Sequence, residues 1–237
     1  MNIFGHLVIS PGCLSFALGN MLCDAVRSRP GTEVADMFLR GMECHRSIDR
    51  FTDTHRDVRK MVALLDPFHR QYGRVIVDVL LDYFLWNHWN ALFPGTPDRV
   101  VRQLWQSYER YGEVLPEQAE SFLSILHRHD VLERSGTVSG VEQALLRLQR
   151  RAHPRRRKYI APDRAVRILH EERDALGKYS LSFFTELHHL MCQKYDMELF
   201  ASGDQPFCVS PDNTACHGQP RGRDTHCTLV HLGGSQP

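Results

Sequence analysis

The sequence lacks an excess of charge of either sign, since 29 Lys and Arg residues stand against 28 Asp and Glu residues for a net charge of +1. A nearly neutral chain has no global electrostatic attraction for nucleic acid or for an anionic membrane. We therefore expect neither as a partner, and any basic surface must be local.

The sequence also lacks a C-x-x-C pair, and its seven cysteines are an odd number, so they cannot all pair in a disulfide framework. No apolar run is long enough to span a membrane. No Lys or Arg precedes Arg27, and the start of the chain therefore lacks the basic region of a signal peptide. These absences together predict a reduced, cytoplasmic protein.

What the sequence does have is enough apolar material for a core. With 237 residues, 42% of them hydrophobic, the chain is too apolar for a disordered protein and long enough for one domain. Apolar residues recur at spacings of three and four, which predicts an all-α fold. We find no internal repeat, so we expect an irregular helical domain and not a solenoid. The predicted helices lie near 15–28, 33–51, 55–65, 68–92, 98–111, 117–133, 138–152 and 162–200, the last with Gly177 as a candidate break.

The composition changes at Ser202. Residues 202–237 are rich in Gly and Pro and lack a helical period, so we expect a disordered tail behind a helical domain of residues 1–201. The spacing of the Cys and His residues in this tail is not that of a familiar zinc site. These residues are Cys208, Cys216, His217, His226, Cys227 and His231.

Two carboxylates stand out in the apolar segment of residues 75–87. Asp78 and Asp82 are its only charged residues, and a helix that is apolar on nearly every side is buried. Because they are four residues apart, they share one face of the helix at about 6 Å along its axis. Burial of two like charges requires protonation, arginine partners or a metal cation. This helix alone does not decide between a metal and internal ion pairs. The candidate ion-pair partners are Arg46, Arg50, Arg70 and Arg74.

A second segment, residues 34–55, favours the metal. Its apolar stripe continues by helical steps to His45 and Asp49, so these side chains point toward the core. Asp53 follows on the same line, and His55 lies just beyond it. A histidine and carboxylates one turn apart on an inward face are the ligands that N/O-preferring divalent metals require.

Two further candidates lie nearer to the start of the chain. Asp24 follows the apolar face of the first predicted helix, and its alternative is a surface position at a helix end. His6 lies within an apolar stretch, where a buried core histidine without a ligand role explains it equally well.

Four segments carry a resemblance to a known family. They are MNIFGHL at residues 1–7, GNMLCD ending at Asp24, GMECHRSIDRFTDTH at residues 41–55 and DVLLDYFLWNHW at residues 78–89. Together they resemble the acyl-carrier-protein phosphodiesterases, bacterial enzymes that are also called acyl-carrier-protein hydrolases. The resemblance covers about residues 1–200 in order and spacing.

The resemblance implies an all-α fold related to the HD-domain phosphohydrolases. It also implies a divalent metal, with Mn²⁺ preferred and Mg²⁺ or Fe²⁺ as alternatives, and removal of 4′-phosphopantetheine from holo-acyl carrier protein. One position departs from the family, because Tyr83 stands where a histidine is common. The matched polar residues are His6, Asp24, His45, Arg46, Asp49, Asp53, His55, Asp78 and Asp82.

Under this resemblance the reaction is metal-assisted hydrolysis of a phosphodiester. Asp53 or His55 is the predicted general base or orients the attacking water. Arg46 is predicted to neutralise the phosphate, with an ion pair on its own helix as the alternative. The predicted metal ligands are Asp24, His45, Asp49, Asp78 and Asp82, with His6 as a further candidate.

Two other functions stay open at this point. The same ligands would serve a metal phosphohydrolase that acts on a nucleotide or another small phosphate ester. A catalytically silent helical binding protein is the other alternative, and the departure at Tyr83 favours it.

A run of basic residues lies at residues 147–158, RLQRRAHPRRRK, with no acidic residue among them. A solvated helix end explains such a run as well as a binding site does. Nucleic acid is disfavoured, since no aromatic residues are interleaved. If the substrate is an acidic acyl carrier protein, we expect Arg155, Arg156 and Arg157 to bind it.

Overall fold

The computed structural model describes residues 2–25, 36–65, 68–111 and 117–195, and within these ranges the regular elements are helices without a β-strand. The all-α prediction is confirmed. Short 3-10 turns lie at Arg70–Tyr72, Trp89–Ala91, Glu133–Gly136 and Pro154–Tyr159. The α-helices are α1 (Ile3–Val8), α2 (Leu14–Leu22), α3 (Asp36–Thr54), α4 (Arg56–Leu65), α5 (Gly73–Asn87), α6 (Pro97–Tyr111), α7 (Glu117–Arg128), α8 (Val138–Arg151), α9 (Pro162–Glu171) and α10 (Arg173–Tyr195).

Helix α5 lies at the centre of the fold. It packs against α1, α4, α8 and α10, and this is why its sequence is apolar on nearly every side. Leu80, Leu81 and Leu85 are fully buried there. Tyr83, at the position that departs from the family, is 3% exposed and packs edge-on against Phe84. The prediction that residues 75–87 form a buried helix is correct.

Helices α2 and α3 approach each other very closely, because glycine is present on both sides of the contact. A Cβ at Gly19 would overlap the backbone of Phe38, and one at Gly41 would overlap the backbone of Phe16. Neither backbone can yield as a flexible side chain does. The contact therefore requires the absence of a side chain at both positions, and it places the end of α2 against the middle of α3.

Helix α1 was not predicted, and its two ends explain why it forms. At its N-terminus the backbone N–H groups of Phe4 and Gly5 both donate to the Asp82 carboxylate, at 2.9 Å each. At its C-terminus the carbonyls of His6 and Ile9 accept from the Asn20 side chain. A helix of six residues is too short to be stable from propensity alone, and these distant partners fix it.

The structure corrects two predicted helix boundaries. The helix predicted at 15–28 ends at Leu22, and the chain turns at residues 23–25. The helix predicted at 162–200 is divided at Glu172 and not at Gly177. Gly177 lies inside α10, where a Cβ would come within 2.8 Å of the His88 ring, so this glycine serves close packing and not a break.

Some predictions fall on residues that the structure does not describe. The tail of residues 202–237, with its Cys and His residues, lies outside the described ranges.

None of the described helices has the length and apolar character that crossing a lipid bilayer requires.

Candidate metal centre

Three side chains from two helices converge at one point. The Nε2 atom of His6 lies 3.3 Å from one carboxylate oxygen of Asp49, and Nε2 of His45 lies 3.0 Å from the other. The two imidazole rings stack with their centroids 3.9 Å apart. Helix α3 provides His45 and Asp49 on successive turns, as the sequence predicts, and α1 provides His6.

These residues fit a divalent cation. Both Nε2 atoms are buried and make no hydrogen bond of good geometry, and each faces a carboxylate oxygen of Asp49, at 3.3 Å for His6 and 3.0 Å for His45. Buried polar atoms without a well-formed hydrogen bond are rare in native proteins. Imidazole nitrogen and carboxylate oxygen are the ligands that suit Mn²⁺, Fe²⁺ and similar metals. His6, His45 and Asp49 form a group whose ligand atoms all lie within 4.8 Å of one another.

The protonation equilibria of the three side chains are strongly perturbed. Burial lowers the pKa of His6 to about 4. Burial also disfavours the charged form of His45, but the nearby carboxylates of Asp24 and Asp49 outweigh it and raise the pKa to about 9. Burial alone would raise the pKa of Asp49, yet its contacts with both histidines hold it below the usual range. Without a metal, at neutral pH, the site therefore holds a neutral His6, a charged His45 and an ionised Asp49.

Asp24 lies at the rim of this group. It is in the turn after α2, its side chain is 90% exposed, and its Oδ1 is 3.5 Å from Nε2 of His45. That proximity lowers its pKa. Cys23 is close enough to form a second metal-binding group with Asp24 and His45. Arg46 is exposed on α3 directly after His45.

Asp82 is placed against the start of α1. Both of its oxygens accept backbone N–H bonds there, and burial raises its pKa to about 7 although these amides oppose the shift. The positive end of a helix is a fourth way to compensate a buried carboxylate, beside those considered from the sequence. Among the described residues, the groups of metal-binding type include neither Asp78 nor Asp82.

Asp78 and Asp53, two of the predicted site residues, border a cavity of about 200 Å³. Burial raises the pKa of Asp78. Asp53 pairs with Arg74, whose Nη1 lies 3.0 Å from Oδ1. Because Asp53 follows Asp49 by one turn of α3, this edge of the cavity lies about one helical turn from the His6–His45–Asp49 group. Its remaining lining residues are Thr52, Val58, Arg59, Val62 and Ala63.

His55 belongs to a different network. Its Nδ1 accepts the backbone N–H of Asp57 at 3.2 Å, and its Nε2 therefore donates to Glu186 of α10, also at 3.2 Å. Arg56 pairs with Glu186 at 2.7 Å, and Lys60 with Asp57 at 2.8 Å. Arg56 and Lys60 thus already neutralise these carboxylates. His55 itself caps α4 through Nδ1 and joins α4 to α10 through Nε2. The structure does not bring it to the His6–His45–Asp49 group.

The three arginines of the basic run differ in their contacts. Arg155 and Arg156 are exposed in the turn Pro154–Tyr159. Arg157 donates to the carbonyls of Ala152 and Arg150, which satisfies backbone groups at the end of α8. Arg157 therefore has a structural role that the sequence does not reveal.

The sequence of the chain matches a known protein family. A family model described as acyl carrier protein phosphodiesterase matches residues 1–187. The chain belongs to the acyl carrier protein phosphodiesterase family. The matched range contains His6, Asp24, His45 and Asp49, so it includes the whole candidate metal centre.

Curated relatives carry the name of the same family. The chain is 34% identical over 97 residues to the acyl carrier protein phosphodiesterase of Pectobacterium atrosepticum, which is 41% of this chain and 50% of the relative. It is 36% identical over 95 residues to that of Serratia proteamaculans, 40% and 49% of the two chains. For Photorhabdus laumondii the match is 28% over 156 residues, 65% and 78%. The chain thus spans about half the length of the first two relatives. No solved structure matches it, and the relation to HD-domain phosphohydrolases stays a prediction.

Sequence reasoning missed two residues of the candidate centre. Cys23 directly precedes Asp24, but its distance along the chain from the other cysteines is not a spacing typical of metal ligands. Asn20 lies four residues before Asp24 and is one of two polar residues, with Ser15, in a largely apolar helix. That contrast, which singled out the aspartates of α5, is the signal that identifies it.

Proposed function

We propose that this member of the acyl carrier protein phosphodiesterase family hydrolyses the phosphodiester between 4′-phosphopantetheine and the serine of holo-acyl carrier protein. The observation that carries the proposal is the convergence of two buried Nε2 atoms on the Asp49 carboxylate, at 3.3 and 3.0 Å from its oxygens. It supports a metal-dependent hydrolase in a family whose curated members bear that name. The cytoplasm, expected from the sequence, is the compartment of this proposal.

The proposed ligands of a divalent cation are His6, His45 and Asp49, with Asp24 at the rim. Mn²⁺ is the cation that the family resemblance implies, and Mg²⁺ or Fe²⁺ would fit the same carboxylates. When bound, such a cation supplies Lewis-acid activation of the phosphoryl group and of water. Asp78 and Asp82 are not part of this proposed set, because Asp82 is bound to the start of α1 and Asp78 borders the cavity.

Other residues of the chain have proposed roles around these ligands. Arg46, exposed next to His45, contributes positive charge for the phosphate. Of the two predicted proton acceptors, we retain Asp53, because it borders the cavity next to Asp49. Both ring nitrogens of His55 are already engaged, so we assign no proton transfer to it.

We propose the basic turn as the docking site for the acidic carrier protein. His69 holds this turn against the start of α5 through a 2.8 Å bond to the Tyr159 carbonyl. Arg70 stacks on the Tyr159 ring at 4.9 Å, and Arg74, four residues on, borders the cavity. Positive side chains therefore continue from Arg155 and Arg156 toward the cavity, where a negatively charged partner would be attracted.

The test is mass spectrometry of holo-acyl carrier protein incubated with the protein and Mn²⁺. We expect loss of the mass of 4′-phosphopantetheine, and no loss with His45→Gln. The control His189→Gln changes an exposed histidine of α10 and should react like the unaltered protein. An unchanged carrier protein would contradict the proposal. Turnover of small phosphate esters alone, tested in parallel, would identify a different phosphohydrolase.

A further inference from the structure

Asn20 is buried beside the candidate metal centre and contacts both of its histidines. Its Oδ1 lies 2.9 Å from Nδ1 of His6, and its backbone carbonyl lies 2.7 Å from Nδ1 of His45. The side chain is completely buried. Asn20 thus contacts Nδ1 of each imidazole, whereas Nε2 of each imidazole faces Asp49.

The surroundings of Asn20 fix which way its amide points. Its Nδ2 lies 2.8 Å from the carbonyl of His6, 3.2 Å from that of Ile9 and 2.9 Å from Oγ of Ser10. The Ser10 hydroxyl donates its own hydrogen to the His6 carbonyl, so its oxygen accepts from Asn20. Only the NH₂ group can satisfy two carbonyl oxygens and this hydroxyl. The amide oxygen must therefore face His6.

Asn20 thereby determines which ring nitrogen carries a hydrogen in both imidazoles. An amide oxygen accepts and does not donate, so Nδ1 of His6 carries the hydrogen and its Nε2 keeps the lone pair. The backbone carbonyl of Asn20 imposes the same hydrogen on Nδ1 of His45. When both imidazoles are neutral, the Nε2 lone pairs are directed at the space beside Asp49. There they repel the carboxylate oxygens unless a cation lies between them.

We propose that Asn20 is a positioning residue that keeps a hydrogen on Nδ1 of both His6 and His45, so that both Nε2 atoms are available to a divalent cation. The cation part rests on the proposed function. The tautomer part concerns His6, which is neutral in the metal-free protein, and can be tested separately. Partners of this kind typically change metal affinity 10- to 100-fold when removed.

The test is ¹⁵N NMR of the imidazole rings in the metal-free full chain at pH 8, followed by calorimetry with Mn²⁺. We expect an unprotonated Nε2 in His6 of the unaltered protein. In Asn20→Ala the proton should move to Nε2, where it can donate to Asp49, and Mn²⁺ affinity should fall about 10- to 100-fold. The His45 ring should be less affected, because its partner is the backbone carbonyl that the substitution keeps.

Ser10→Ala is the matched control. It removes one acceptor of the same network but leaves the bond between Asn20 and His6, so the tautomer and the Mn²⁺ affinity should be retained. A protonated Nε2 in neutral His6 of the unaltered protein would overturn the inference, even if Asn20→Ala does not fold. So would an unchanged tautomer in a folded Asn20→Ala. If the unaltered protein binds no Mn²⁺ while the His6 tautomer is as expected, the proposed function fails and the tautomer assignment stands.

Discussion

Substitution of Gly41 by Ala tests how the close contact of α2 and α3 builds the candidate metal centre. The added methyl group would lie only 2.8 Å from the backbone nitrogen of Asn20 and closer still to the Phe16 carbonyl. To accept it, the helices must separate by on the order of 1 Å. The 2.7 Å bond from His45 to the Asn20 carbonyl would then lengthen to about 3.7 Å, beyond hydrogen-bond range.

We therefore expect two effects of Gly41→Ala. The free energy of unfolding should fall by about 1–3 kcal/mol, as is usual for overpacking against atoms that cannot yield. The affinity for Mn²⁺ should fall by about tenfold or more, because His45 loses the partner that orients its ring. Urea unfolding measures the first effect, and calorimetry of the remaining folded protein measures the second.

Gly73→Ala is the matched control for this experiment. Gly73 begins α5 with a helical backbone, and a Cβ there would meet Val62 at 3.4 Å, an ordinary contact. This substitution should stabilise the protein by about 0.4–1 kcal/mol through the unfolded state and leave Mn²⁺ binding unchanged. If Gly41→Ala is as stable as the unaltered protein and binds Mn²⁺ equally well, the reasoning about this contact is refuted.

Three further predictions follow from the same geometry. Asp82→Ala should lower the unfolding free energy of the metal-free protein by about 2 kcal/mol, because two buried amides lose their acceptor. An unchanged free energy of urea unfolding would contradict this role of Asp82. The pKa of His45 is raised to about 9, so protonated His45 stabilises the metal-free protein by about 3 kcal/mol. This contribution is fully present below the unfolded pKa of about 6.5 and is lost as the pH rises through 9. His45→Gln should abolish this pH dependence in unfolding curves. Joint replacement of Arg155 and Arg156 by Ser should raise the KM for holo-acyl carrier protein and flatten its salt dependence in steady-state kinetics, whereas Arg157→Ser should mainly reduce stability.

The sequence predicts the long helices well, because their information is local. Apolar spacing identifies α2 to α8 and the joint span of α9 and α10, and the one-turn spacing of His45 and Asp49 predicts that they act together. Helix α1 escapes such reasoning, because its ends depend on Asp82 and Asn20, which are 77 and 14 residues away from their partners. A helix of six residues leaves no usable periodicity of its own.

The contacts of Asp82 were not predictable from the sequence, and this has a physical reason as well. A carboxylate in a buried helix needs compensation, and the sequence indicates this need correctly. It does not show that the N-terminus of another helix will meet the carboxylate. The four-residue spacing places Asp78 and Asp82 on one face of α5, but it does not show what each side chain contacts. In the structure Asp82 contacts the start of α1, whereas Asp78 borders the cavity.

The most direct test of the central claim is electron paramagnetic resonance of Mn²⁺ bound to the protein. The account predicts one Mn²⁺ per chain, with electron spin echo modulation from two imidazole nitrogens, those of His6 and His45. His6→Gln should remove one nitrogen coupling and His45→Gln the other. Bound Mn²⁺ without nitrogen coupling, or coupling that persists in both variants, would place the metal elsewhere and contradict the account.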